Sequence, residues 1–101
     1  MKKIFLILFF FNVTSEVFSD TKMKLGLEVY NNKAQCGTCH TFHNAGSEGQ
    51  IGPNLDQIKP TLIQVMTAVK NGIGVMPSFD GALTTEEIEA VSYFVSEKSG
   101  K

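Results

Sequence analysis

The chain has 101 residues and no tryptophan; its nine basic residues are all lysine, against ten acids, for a formal charge of −1. That length holds one domain, and the balance offers neither the basic face that nucleic-acid binding needs nor a large positive field to steer a strongly acidic partner. Two cysteines are too few for a disulfide framework.

Lys2 and Lys3 open the chain, Ile4 to Phe11 is an unbroken apolar run, and Val17-Phe18-Ser19 ends on a small residue. This is the layout of a secretory signal peptide. Cleavage is placed after Ser19, so 1–19 is the leader and 20–101 the mature domain. Asn12, Thr14, Ser15 and Glu16 interrupt the run well short of the ~20 apolar residues of a spanning helix. No membrane anchor is expected after cleavage, and the expected location is the periplasm. The mature chain keeps seven lysines and nine acids. A chain this short draws only a few kcal/mol from its own core and usually carries a staple. A disulfide between Cys36 and Cys39 would close a loop too small to constrain much, which points to a cofactor.

Met23, Leu25, Leu27, Val29 and Tyr30 fit a helix over about 21–31. Gly26 interrupts it, at up to about 1 kcal/mol relative to Ala, a cost explained if another helix crosses closely there. The stretch 41–54, with Gly46, Gly49, Gly52 and Pro53, reads as a long loop, and such loops are uncommon unless they wrap something. After Pro60, Leu62, Ile63, Val65, Met66 and Val69 form one helical face, stopped at Asn71-Gly72. Loop returns over 72–81. Thr84-Thr85-Glu86-Glu87 is a capping box, its acids at the positive end of the helix dipole, and Ile88, Val91, Phe94 and Val95 share the face that follows. No run alternates as a solvent-backed strand does. The class is all-α, three to four short helices with long loops.

Cys36-Gly37-Thr38-Cys39-His40 carries the chemistry. Two cysteines three positions apart lie on one side of a helical turn, each able to form a thioether to a haem vinyl group, and the next histidine falls beneath the iron. C-x-x-C-H is the c-type haem attachment signal. A thioredoxin-like dithiol needs a βαβ setting, and a structural zinc site needs further ligands, for which only His43 remains. The sixth ligand decides between an open, ligand-binding haem and a closed one suited to electron transfer. Its candidates are Met23, Met66, Met76 and His43. Met66 sits on an apolar helix face, where methionine is usually core filler, and Met23 precedes the motif. His43 is too near in sequence to reach round a ring about 10 Å across, at no more than ~3.5 Å per residue. Met76 sits in a Gly-rich loop, with Pro77 stiffening the backbone behind it, and is the favoured ligand.

The chain resembles the class I c-type cytochromes, most closely the small bacterial and cytochrome c6-like branch, from Thr21 to Val95. The residues that carry the likeness are Cys36 to His40, Gly52-Pro53-Asn54-Leu55, the stretch from Asn71 to Phe79, and Leu83 to Ile88. The resemblance implies the cytochrome c fold wrapped around one haem c, covalently held by Cys36 and Cys39, with iron ligated by His40 and Met76. It implies that the Pro53 carbonyl accepts the axial histidine's other N–H, which fixes the ring, and that Gly26 and Tyr30 of the first helix meet Val91 and Phe94 of the last. The implied function is one-electron transfer, with no substrate transformed, between a donor and an acceptor: a dehydrogenase or cytochrome complex on one side, a terminal oxidase or similar acceptor on the other. The protein would be a monomer or one subunit of a hetero-complex, such as the cytochrome subunit of a dehydrogenase. The alternative of another class is a haem enzyme or gas-binding cytochrome with an open sixth site. Without tryptophan, no indole can hold a haem propionate, and the lysine-rich face of mitochondrial relatives is reduced to Lys33, Lys59 and Lys70.

Overall fold

The computed structural model describes residues 17–101; residues 1–16, most of the expected leader, lie outside the described residues. Helix α1 covers 17–28 and runs into a π-helical turn, Val29–Lys33, closed by the Ala34 N–H donating to the Val29 carbonyl at 2.8 Å. The helix is therefore longer than the apolar spacing of 21–31 predicts. A 3₁₀ turn, Cys36–Thr38, follows, then strand β1 (Thr41–Phe42), a second 3₁₀ turn (His43–Ala45) and strand β2 (Ser47–Glu48). Helices α2 (Leu55–Ile58), α3 (Leu62–Asn71) and α4 (Thr85–Lys98) complete the described chain. No helix among the described residues is long and apolar enough to cross a membrane.

The fold is helical, as expected, and differs from the expectation within the first long loop. The 41–54 loop contains a small antiparallel hairpin, Thr41 opposite Glu48 and Phe42 opposite Ser47. Two residues per strand are too few for alternation to register in a sequence. A left-handed Gly46, φ 67°, turns the chain between them.

Local chemistry explains the two longest helices after α1. Thr84 Oγ1 accepts from the Glu87 N–H while the Glu87 carboxylate accepts from the Thr84 N–H, so α4 has its expected capping box. The same carboxylate pairs with Lys33, joining the end of the π turn to the start of α4. This pair draws Lys33 toward α4. A second capping box, Thr61 with Gln64, opens α3.

The core gathers Tyr30, Phe42 and Phe94 from the π turn, the hairpin and α4, with ring centroids 5.2–6.1 Å apart and tilted or edge-on geometry. Each such pair adds about 0.5–1.5 kcal/mol beyond its buried area. The terminal helices cross at Gly26. A Cβ there would lie 2.4 Å from the Ala90 carbonyl oxygen and 2.5 Å from the Phe94 Cβ, so only a missing side chain permits the contact. Helix α3 packs on α4 through Val65 and Val69, both buried, while Leu62 and Ile63 of its predicted face are exposed. That predicted stripe merged two environments: Val65 and Val69 are buried in the core and also line the cavity described next, whereas Ile63 edges that cavity while exposed to solvent.

Candidate functional site

One cavity of about 840 Å³ opens between the Cys36–Thr38 turn, α2, α3 and the loop before α4. It is lined mainly by apolar side chains, among them Leu55, Val65, Val69, Phe79, Val91 and Val95. Its size falls within the range of cofactor sites. The sequence candidates Cys36, Cys39, His40, Pro53 and Met76 all lie on its wall. Met66 is half-buried on α3 and Met23 packs against the core from α1; neither is part of that wall, and His43 is exposed in its 3₁₀ turn.

The turn that presents the motif is built by the backbone. Gln35 enters it in a left-handed conformation, φ 51°. The Cys39 and His40 N–H groups then both donate to the Cys36 carbonyl, at 3.1 and 3.0 Å, so that a single turn sets the two thiols and the imidazole along the same stretch of wall. The cysteines are free thiols, not joined to each other. Burial pushes the Cys36 thiol up to about 11.

The imidazole is fixed from two sides. His40 Nδ1 lies 2.7 Å from the Pro53 carbonyl oxygen. A carbonyl can only accept, so Nδ1 carries the proton and Nε2 keeps its lone pair free to bind a metal. A Cβ on Gly52 would come within 2.7 Å of the ring, so glycine makes the cradle against which the imidazole lies. A haem fits this set of groups: an apolar cavity of cofactor size, paired thiols on its wall and an imidazole held in the metal-binding tautomer.

A further contact reaches the backbone of His40. Ser47 Oγ donates to the His40 carbonyl at 2.9 Å and accepts from the Tyr30 hydroxyl at 2.9 Å. Because the serine proton is committed to His40, the phenol is the donor of the second bond. Burial pushes the Tyr30 phenol up to about 12, partly opposed by the bond to Ser47. Tyr30 was legible as a helix-crossing residue. Its partner Ser47 was not, because a loop serine carries no spacing signal.

Residues 21–95 match the family model described as cytochrome C oxidase, cbb3-type, subunit III. The chain is 30% identical over 80 residues to cytochrome c6 of Leptolyngbya boryana, covering 75% of this chain and 92% of that one. It is 32% identical over 72 residues to cytochrome c6 of Microcystis aeruginosa, covering 67% and 89%. The crystal structure of the c-type cytochrome SorU from Sinorhizobium meliloti superposes with a TM-score of 0.77 at 46% identity, over 81% of this chain and 95% of that one. Family model, relatives and solved neighbour agree with the geometry, and the chain belongs to the class I c-type cytochromes, small monohaem electron carriers.

Proposed function

We propose that the protein is an exported, periplasmic one-electron carrier whose single haem c is bonded through Cys36 and Cys39 and ligated by His40 and Met76. The observation that carries this reading is the convergence of both thiols, the Nδ1-protonated imidazole and the Met76 side chain on one apolar cavity. Bound there, the haem supplies the ferric/ferrous couple. The chain's own residues do the rest. The Pro53 carbonyl keeps the His40 ring in its ligating tautomer and raises its basicity. A thioether ligand from Met76 would favour the ferrous state and raise the potential. The apolar wall excludes water. Residues 1–19 act as the export leader. The partners are a redox donor and a redox acceptor met through brief encounters with small interfaces.

The test is made on protein expressed in a host able to attach c-type haem. The purified protein should weigh as residues 20–101 plus one haem, and the oxidised form should show the weak far-red sulfur-to-iron absorption band. A mass equal to bare polypeptide ends the reading. Met76→Ala should lose the band and lower the potential. Met66→Ala should keep it and, being only half-buried, should cost less than the ~2–5 kcal/mol of a fully buried methionine. Loss of the band in Met66→Ala would transfer the ligand role to that residue.

A further inference from the structure

Helix α3 ends in a way that anchors the loop behind Met76. The last carbonyls of a helix lack intrahelical partners. In α3 the Ala68 carbonyl accepts from the Gly72 N–H at 2.8 Å, but the next two are satisfied from further along the chain. The Val69 carbonyl accepts from the Phe79 N–H at 2.9 Å, and the Lys70 carbonyl accepts from the Ser78 hydroxyl at 2.5 Å. The Ser78 oxygen in turn accepts from the Asp80 N–H at 3.3 Å. On the other side of the loop, Ile73 and Met76 exchange backbone hydrogen bonds at 2.9 and 3.1 Å. Gly72 lets the returning segment lie close: a Cβ there would sit 2.8 Å from both the Met76 carbonyl oxygen and the Ser78 nitrogen. Met76 is thus held by a tight turn before it and by residues 78–79 after it, with Pro77 between.

Of these anchors, the Ser78 bond to Lys70 is the one made by a side chain. Resting on the reading that Met76 ligates iron, we propose that Ser78 is a positioning residue that holds the Met76 sulfur on the metal by tying its loop to the C-terminal end of α3. The hydroxyl is not on the cavity wall. Its effect runs through the backbone of residues 76–78, and removing it leaves the Phe79 N–H to Val69 carbonyl bond as the remaining anchor after Met76 while the segment carrying the sulfur gains freedom.

Competition at the iron reads this directly. Added imidazole displaces the sulfur in the oxidised holoprotein, and loss of the far-red band reports it. Ser78→Ala should bind imidazole about 3- to 10-fold more tightly, the change expected for one lost hydrogen bond. Ser78→Thr, which keeps the hydroxyl, should return the affinity to the wild-type value. Thr61→Ala removes a cap at the opposite end of the same helix, so it loosens α3 without touching the loop, and it should leave imidazole affinity unchanged. Unchanged affinity in Ser78→Ala overturns the proposal, as does equal tightening in Thr61→Ala, which would make the effect a general loosening of α3. A wild-type protein without the band overturns the Met76 ligation itself, a result separate from either of these.

Discussion

Tyr30 shows how much a single buried hydroxyl can reveal. The ring is fully buried and packs against Phe42 and Phe94, while its oxygen donates to Ser47, which donates on to the backbone of His40. Burial raises the phenol from 10.0 to about 12. Between those values the unfolded chain ionises the phenol and the folded chain keeps it protonated. Folding stability from this group is therefore complete below pH 10 and declines as pH rises toward 12. Tyr30→Phe should remove that part of the alkaline decline and cost about 1 kcal/mol at neutral pH for the lost hydrogen bond. Urea midpoints of both proteins, measured below and above the ordinary tyrosine range, check this. An equal alkaline decline in both would show that Tyr30 does not titrate late. At this scale the sequence was partly legible. The cysteines and His40 announce themselves by type and spacing, because the proposed haem attachment would need fixed intervals, and Pro53 stands out in a Gly-rich stretch. Ser47 and the cradle role of Gly52 are defined only by what the fold brings beside them.

Among the elements, helix α1 gives the sharpest disagreement between local and tertiary physics. Taken alone, Gly26→Ala should stabilise α1 by up to about 1 kcal/mol through helix propensity. At the crossing, the new Cβ meets the Ala90 carbonyl oxygen and the Phe94 Cβ. Neither belongs to a flexible side-chain end, so the two helices must separate, at a cost of about 1–3 kcal/mol. The steric cost outweighs the gain in propensity, and the variant should be less stable by denaturant midpoint; a more stable variant would mean that α1 and α4 do not cross at Gly26. The cost of a mid-helix glycine was the signal, visible in the sequence, that a crossing exists. Helix α4 was legible for a different reason: its capping box sits immediately before an apolar face, and both are local. The capping box of α3 obeys the same rule in Thr61-x-x-Gln64 and could have been read in the same way. Helix α2 is different. It spans four residues, Leu55–Ile58, and owes its start to the Asn54 side chain accepting from the Asp56 and Gln57 N–H groups, a pattern too short to stand out from a loop.

At the scale of the whole molecule, the two halves of the chain are joined at Asp56. One carboxylate oxygen accepts from the His43 N–H and the other from the Gly100 N–H, both at 2.8 Å. Asn44 reinforces the join by donating to the carbonyls of Lys98 and Lys101. The hairpin, α2 and the residues after α4 therefore meet at one acidic side chain, on the outside of the fold that holds the cavity. The N–H groups of His43 and Gly100 keep the Asp56 carboxyl below its ordinary 3.8. A depressed acid contributes stability above its unfolded pKa and loses it as pH falls through the folded one. Asp56→Asn leaves one acceptor oxygen for two N–H groups and removes the charge, so at neutral pH it should lower stability by about 1 kcal/mol, a modest value because the site is open to solvent. As pH falls below the ordinary aspartate range, the wild-type carboxyl protonates too, and the gap between the two proteins should narrow. Paired urea midpoints on the holoprotein across that range measure the gap. A difference that stays constant with pH would mean that the charge on Asp56 takes no part in fastening the residues after α4 to the loop that follows the Cys36–Thr38 turn.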